Sequence, residues 1–169
     1  MILAPVLAIL PNAKQRDQLK KRKIAMAHGV RVQLTHIEDP DQDPSKYLSN
    51  TGKSLDRKLP TVAYRLARPR SKKWHDEVVN EWAFNREMKY SGSGVGKSRI
   101  PGWQCDQCPK NGFEENWEIF FQEKLPRLPL DVVRVEEKNF MLTIYWNEKG
   151  EVEELLDFLS TCAHLSIDD

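Results

Sequence analysis

The chain lacks the long apolar runs of a membrane protein. None of its apolar segments reaches the length of a transmembrane helix, although 40% of its 169 residues are hydrophobic. The N-terminal segment, Met1–Leu10, has neither the basic start nor the small-residue cleavage site of a signal peptide. We therefore expect no membrane partner.

Cysteine is scarce and odd in number. The chain has three Cys, and two of them lie close together. Small secreted domains are usually stabilised by an even set of paired Cys. The scarcity favours a reducing compartment, and we expect a cytoplasmic or nuclear protein.

The sequence also lacks a recognisable catalytic arrangement. None of its four His stands in a nucleophilic pattern with Ser or Cys. Asp131, Glu136 and Lys138 have a spacing similar to that of nucleases, but a hairpin turn is expected at Glu136 and Lys138. The run Ser91–Ser98 is similar to the phosphate loop of nucleotide triphosphatases, yet Pro101 interrupts the helix that such a loop needs. We expect a protein that is not an enzyme and has no cofactor.

The net charge of +1 conceals a strong asymmetry. Met1–Arg99 contains 20 Lys and Arg against 10 Asp and Glu, whereas Ile100–Asp169 contains 6 against 15. The two net charges are therefore +10 and −9. A positive field attracts nucleic acid. The basic part is the expected nucleic-acid surface, and the acidic part is the expected site for protein partners.

The N-terminal pattern predicts alternating strands and helices. Ile2–Leu10 is a nearly continuous apolar run, typical of a strand buried on both faces. Asn12 can cap a helix over Ala13–His28, and the alternation in Val30–Ile37 predicts a second strand. A strand, helix and strand in so short a span predict a parallel pair with a right-handed crossover. The expected fold is an α/β, Rossmann-like parallel sheet with flanking helices.

Composition divides the chain into three parts. Residues 1–90 form the expected α/β domain, residues 91–102 a Gly/Ser-rich linker, and residues 103–169 a small acidic α+β extension. The domain also contains a third strand at Thr61–Ala67 and a helix that begins at Ser71. The elements expected in the extension are a short helix, a hairpin and a closing helix, over Asn116–Lys124, Asp131–Glu136 with Phe140–Trp146, and Glu151–Cys162.

Three polar side chains in the basic part are suited to a phosphate. Lys21 lies on the first predicted helix, Gln33 in the second strand, and Lys58 near the end of a helix predicted over Ser45–Arg57. Two ammonium groups and one amide donate the charged and directed hydrogen bonds that a terminal phosphate accepts. Helix N-termini add partial positive charge.

The segments around these positions carry a family resemblance. Three short segments match the same family pattern as the three polar positions, without any gap in the alignment. These segments are Ile9–Pro11, Leu48–Asn50 and Lys58–Leu59. In this alignment residues 3–66 resemble the MID domain of Argonaute proteins, which act in RNA silencing. No PIWI domain follows, so no slicer carboxylates are implied.

The resemblance implies a role for each position. Lys21, Gln33 and Lys58 match the residues that hold the 5′ phosphate of a single-stranded guide RNA or DNA. Arg16 and Lys53 are the candidate helpers. The family's Tyr, which stacks on the first base, is replaced by Asp17, and a carboxylate repels a phosphate. The alternative is therefore a protein-interaction adaptor with the same fold and a degenerate pocket.

A second alternative is a zinc-stabilised module. Trp103, Cys105 and Cys108 resemble the start of a small Ran-binding-type finger, but the second Cys pair is missing. Cys162 and His164 are the residues that would complete four zinc ligands from a distance. The other interpretation is two loop thiols and a buried helical Cys, and we assign no metal site.

Overall fold

The computed structural model describes residues 11–41, 43–69, 81–88, 100–109 and 112–165. The expected strand over Ile2–Leu10, the run Ser91–Ser98 and most of the helix that begins at Ser71 lie outside these residues. Trp82, the last apolar position of that predicted helix, is described and begins a strand instead.

The described residues form three α-helices and six strands. The helices are α1 Ala13–Ala27, α2 Glu115–Lys124 and α3 Val152–His164. The strands are β1 Arg31–Glu38, β2 Lys58–Ala67, β3 Trp82–Arg86, β4 Trp103–Gln107, β5 Val132–Lys138 and β6 Met141–Trp146. Two short 3₁₀ turns lie at Pro44–Tyr47 and Leu125–Arg127. In the described part of the chain, no helix has the length and apolar character to cross a bilayer.

The sheet is fully antiparallel, so the predicted parallel Rossmann-like sheet is wrong. Its strand order is β1-β2-β6-β5-β3-β4. The helix predicted over Ser45–Arg57 is also wrong, because that segment contains only the turn at Pro44–Tyr47 and a bridge between Leu48 and Ser54. A parallel return would need a crossover of a dozen or more residues, usually a helix. Because no crossover helix lies between the two strands, β2 is antiparallel to β1, and Glu38 pairs with Lys58 in the ladder.

Local signals predicted several elements correctly. The helix after Asn12 is confirmed, and a capping box joins Asn12 and Gln15 through hydrogen bonds of 2.8 and 2.9 Å. The hairpin and the closing helix of the C-terminal part are also confirmed. The hairpin turn, however, lies at Asn139 and Phe140, both with positive φ, whereas Glu136 lies within β5.

The sheet is continuous across the expected domain boundary. β2 pairs with β6, and β3 pairs with β5, so strands from before and after the linker segment are interleaved in one sheet. All three helices pack on one face, where Tyr64, Phe84 and Ile144 belong to a single core. In this core, Phe121 of α2 lies with its ring centroid 4.8 Å from those of Trp82 and Phe84. Described residues from before and after the linker segment thus share one core.

We expect a chain that ends at Met88 to be unable to fold. It would retain only β1, β2 and β3, leaving β3 without a neighbouring strand and Tyr64 and Phe84 without the helices that cover them. Circular dichroism and calorimetry of this chain should show no cooperative thermal transition, whereas the whole chain should show one. A cooperative transition in the shortened chain would mean that residues 11–88 form an independent unit.

Candidate nucleic-acid interface

The side chain of Lys21 faces the interior of the protein. It is 9% exposed, and its Nζ lies 2.6 Å from Asp17 Oδ2, one helical turn away. The same ammonium donates a hydrogen bond of 3.1 Å to the backbone carbonyl of Glu148. Asp17, expected to repel a phosphate, instead neutralises Lys21. The contact of Lys21 with Glu148 therefore helps to hold α1 against the segment that follows β6.

The carboxylate of Glu148 is the centre of that docking. Its side chain is fully buried, and it accepts hydrogen bonds of 2.8 and 2.6 Å from Nε and Nη2 of Arg22. The hydroxyl of Tyr64 donates a third, of 3.0 Å. Hydrogen bonding to Glu148 raises the pKa of Arg22, and burial raises the pKa of Tyr64. Bidentate geometry and the extra hydrogen bond offset the cost of burying the carboxylate.

Gln33 and Lys58 lie apart from each other and from Lys21. Gln33 pairs with Ala63 and projects from the face opposite the helices, where its Oε1 accepts a 2.7 Å hydrogen bond from Arg65. Lys58 lies five ladder positions away, roughly 17 Å along the strand, and an odd offset points it to the other face. Its side chain is 67% exposed and pairs with Asp56 at 3.2 Å. The structure does not bring the three phosphate candidates together.

Lys53 lies in the turn between β1 and β2. Its backbone N–H donates to Ser49 Oγ at 3.0 Å, and its carbonyl accepts from Ser49 N–H at 2.9 Å. Gly52, with φ +78°, permits this reversal. Lys53 is exposed, and the turn places it beyond the strand end that contains Lys58.

Arg16 belongs to a different group of cations, on the outward side of α1. Arg16, Lys20 and Lys23 follow at i, i+4 and i+7, so they share one helix face, opposite the buried Lys21 and Ala25. All three outward cations are exposed, and no acidic partner lies against them among the described residues. We call Arg16, Lys20 and Lys23 the basic stripe. Seven residues of helix span about 11 Å, comparable to about three phosphates of one DNA strand.

The proposed zinc ligands are not assembled. Cys105 and Cys108 form a disulfide with each other. Cys162 is 0% exposed, and its burial raises the pKa of the thiol. His164 is exposed, and its Nδ1 lies 2.8 Å from the carbonyl oxygen of Ser160. The described ranges contain no group of three or more potential ligands with metal-binding geometry.

A polar row that the sequence reasoning missed crosses the face of the sheet opposite the helices. Each strand contributes at least one member. The members are Gln33, Arg65, Tyr145, Glu136, Arg134, Asn85 and Asp106. Polar residues at alternate strand positions were the available signal, but the strand pairing that aligns them depends on the tertiary fold.

The contacts within this row are short and mutual. Glu136 accepts hydrogen bonds of 2.7 Å from the hydroxyl of Tyr145 and 2.8 Å from Nε of Arg134. Nη1 of Arg134 donates to Asn85 and Asp106, each at 2.8 Å. Burial and the hydrogen bond to Glu136 raise the pKa of Tyr145 to about 12. Because these charges already pair with each other, the row serves to hold the strands in register.

A second buried ion pair lies on the helical side. Arg68 donates to Glu137 at 2.9 Å, and the indole N–H of Trp82 donates to the same oxygen at 2.9 Å. The guanidinium of Arg68 also lies over the ring of Trp117, 4.8 Å from its centroid. Burial raises the pKa of Glu137. These contacts connect β5 with α2 and occupy the cation of Arg68, whereas the three cations of the basic stripe have no acidic partner among the described residues.

No protein-family model matches the chain, and neither a curated protein nor a solved structure is significantly similar to it. The resemblance to the MID domain stays a prediction.

Glu148→Ala should loosen α1. The replacement leaves Arg22 and Tyr64 without their acceptor, and removing one member of a buried ion pair typically costs about 3–5 kcal/mol. Because Arg22 is partly exposed, we expect about 3 kcal/mol in urea unfolding. Lys23→Ala, on the outward side of the same helix, is the control and should change stability by less than about 0.5 kcal/mol. Equal effects of the two changes would contradict the docking role of Glu148.

Tyr145 should make the protein sensitive to alkali. The ordinary pKa of Tyr is 10, so between pH 10 and 12 the folded protein retains a proton that the unfolded chain has lost. The free energy of unfolding therefore falls as the pH rises through this window, by about 1–3 kcal/mol for this residue. Urea titrations at about pH 9 and about pH 12 should show a smaller fall in the free energy of unfolding for Tyr145→Phe than for the unchanged protein. If the free energy of unfolding falls equally in the variant and the unchanged protein, groups other than Tyr145 cause the alkaline sensitivity.

Proposed function

We propose that the protein is a non-catalytic nucleic-acid-binding module whose contact surface is the basic stripe of α1. The observation that carries this proposal is the division of cations on that helix. Lys21 and Arg22 point inward and are neutralised by Asp17 and Glu148, whereas the three outward cations have no partner in the described parts of the chain. Unpaired, exposed Lys and Arg on one face provide sequence-independent contacts to phosphates.

The surroundings of the stripe support this choice. Leu19 and Met26, also on α1, are 45% and 55% exposed, which gives the helix apolar surface beside its charges. Such side chains can pack on sugars and bases while the cations contact the backbone. The exposed first turns of α2 and α3 are acidic instead, so these helices would repel a phosphate chain. The ligand is therefore directed to α1.

The preferred ligand is a single strand of RNA or DNA in the cytoplasm or the nucleus. Preference for a 5′ phosphate is the finer part of the proposal, and it does not rest on a pocket of Lys21, Gln33 and Lys58, since these side chains are separated. In this proposal the terminal phosphate binds at the basic stripe, where its extra negative charge strengthens the contact with Lys and Arg.

Replacing the stripe by Ala should weaken binding and its salt dependence together. For single strands, each phosphate contact contributes a slope of about −0.7 to the plot of log affinity against log salt concentration. Arg16→Ala/Lys20→Ala/Lys23→Ala should therefore reduce the slope by about 2. Fluorescence anisotropy of 3′-labelled oligonucleotides measures both quantities, with 5′-phosphorylated and 5′-hydroxyl strands compared in parallel.

The matched control removes the same charge elsewhere. Arg127, Lys138 and Lys149 are exposed and belong to the acidic half of the sequence. Their triple Ala variant should retain the affinity and slope of the unchanged protein, apart from a small general effect of net charge. Equal losses in the two variants would show that binding is non-specific attraction. Absence of binding to any strand would leave the protein-interaction adaptor as the better hypothesis.

A further inference from the structure

The disulfide between Cys105 and Cys108 lies at an accessible end of the sheet. Cys105 is a half-buried member of β4, and Cys108 is exposed just after that strand ends. The two Cα atoms are 6.0 Å apart, within the usual range for a disulfide. β4 is the last strand in the sheet order, so one of its sides has no neighbouring strand among the described residues.

This disulfide contributes little as a structural cross-link. It joins residues separated by three positions, and a loop so short removes little entropy from the unfolded chain. β4 is held in place without it, because Cys105 pairs with Phe84 across the β3–β4 ladder. The buried ring of Trp103 also anchors the strand, and its Nε1 donates a 3.0 Å hydrogen bond to the carbonyl of Leu125.

We propose that Cys105 and Cys108 form a thiol–disulfide exchange site for low-molecular-weight thiols and disulfides. In the oxidising direction, the Cys108 thiol loses its proton and the thiolate attacks one sulfur of a small disulfide. A mixed disulfide forms on Cys108, and the first small thiolate leaves and takes up that proton. Cys105 then loses its proton, and its thiolate attacks the Cys108 sulfur. The second small thiolate leaves and takes up that proton. Two electrons pass from the protein to the small disulfide, and reduction is the reverse.

The roles of the two sulfurs follow from their access. Cys108 is exposed and can be approached by a small disulfide in solution, whereas Cys105 lies within the strand and is positioned to resolve the mixed disulfide. Asp106, between them, would disfavour a nearby thiolate, but its carboxylate is paired with Arg134 at 2.8 Å. This pairing reduces the electrostatic penalty on forming the thiolate.

The third Cys does not compete with this pair. Cys162 is fully buried on α3, and its burial disfavours the thiolate that exchange requires. It therefore serves as an internal reference, since it should react only after unfolding. In cytosolic proteins of mesophiles, disulfides are usually transient and catalytic or redox-sensing rather than structural. The compartment expected from the scarcity of Cys thus agrees with an exchange site.

The test is an equilibration of the full chain with reduced and oxidised glutathione. Samples are quenched with acid and alkylated after unfolding, and intact mass then counts the free thiols. We expect one alkylated Cys in the most oxidising mixtures and three in the most reducing ones, with the same curve approached from either side. A pair that remains a disulfide, or remains two thiols, in every mixture would overturn the proposal.

Two single variants test the order of attack. With Cys105→Ser, oxidised glutathione should form an adduct on Cys108 about tenfold faster than it forms one on Cys105 in Cys108→Ser, because Cys108 is more accessible. Equal rates, or the reverse order, would overturn the assignment of Cys108 as the attacking sulfur. Circular dichroism checks that both variants fold, and the equilibration of the unchanged chain tests the exchange itself independently of them.

Discussion

The buried carboxylate of Glu148 is the interaction on which the arrangement of the molecule depends. It follows β6 and connects Arg22 of α1 with Tyr64 of the interior strand β2. α1 has little apolar surface with which to pack, since Lys21 and Ala25 are its only buried residues. A helix of this kind gains little from the hydrophobic effect, so directed charge contacts must set its position.

This constraint also determines which cations of α1 face the solvent. Once Arg22 is bound to Glu148, the helix cannot rotate, and Lys20 and Lys23 must point outward. The surface proposed to bind nucleic acid is thus a consequence of how the helix is docked. The sheet beneath is held in register by a second set of charges, centred on Glu136 and Arg134, on its other face. Buried or half-buried ion pairs therefore act on both faces of the sheet, around an aromatic core.

Part of the secondary structure was predictable, although the strands β3 and β4 were missed, and the topology was not predictable. Capping at Asn12 and the alternation in β1 are local signals, and each predicted its element. The segment between β1 and β2 has ordinary helix formers, but Asx turns and Gly52 reverse the chain there. The parallel prediction itself rested on the strand expected over Ile2–Leu10, the helix after it and β1, whereas every pair of neighbouring strands that the structure describes is antiparallel. Spacing along the chain cannot reveal this error, because it contains no information on strand direction.

The sequence alone determined local features of this protein: the cap of α1 at Asn12, the periodicity of β1, the opposite charges of its two halves and the close spacing of Cys105 and Cys108. Only the tertiary structure decided which charges are available to a ligand. Lys21 and Arg16 are five residues apart on one helix, yet one is buried against Glu148 and the other faces solvent. The physical reason is that burial and pairing depend on partners more than a hundred positions away, which antiparallel pairing of β2 with β6 brings into contact.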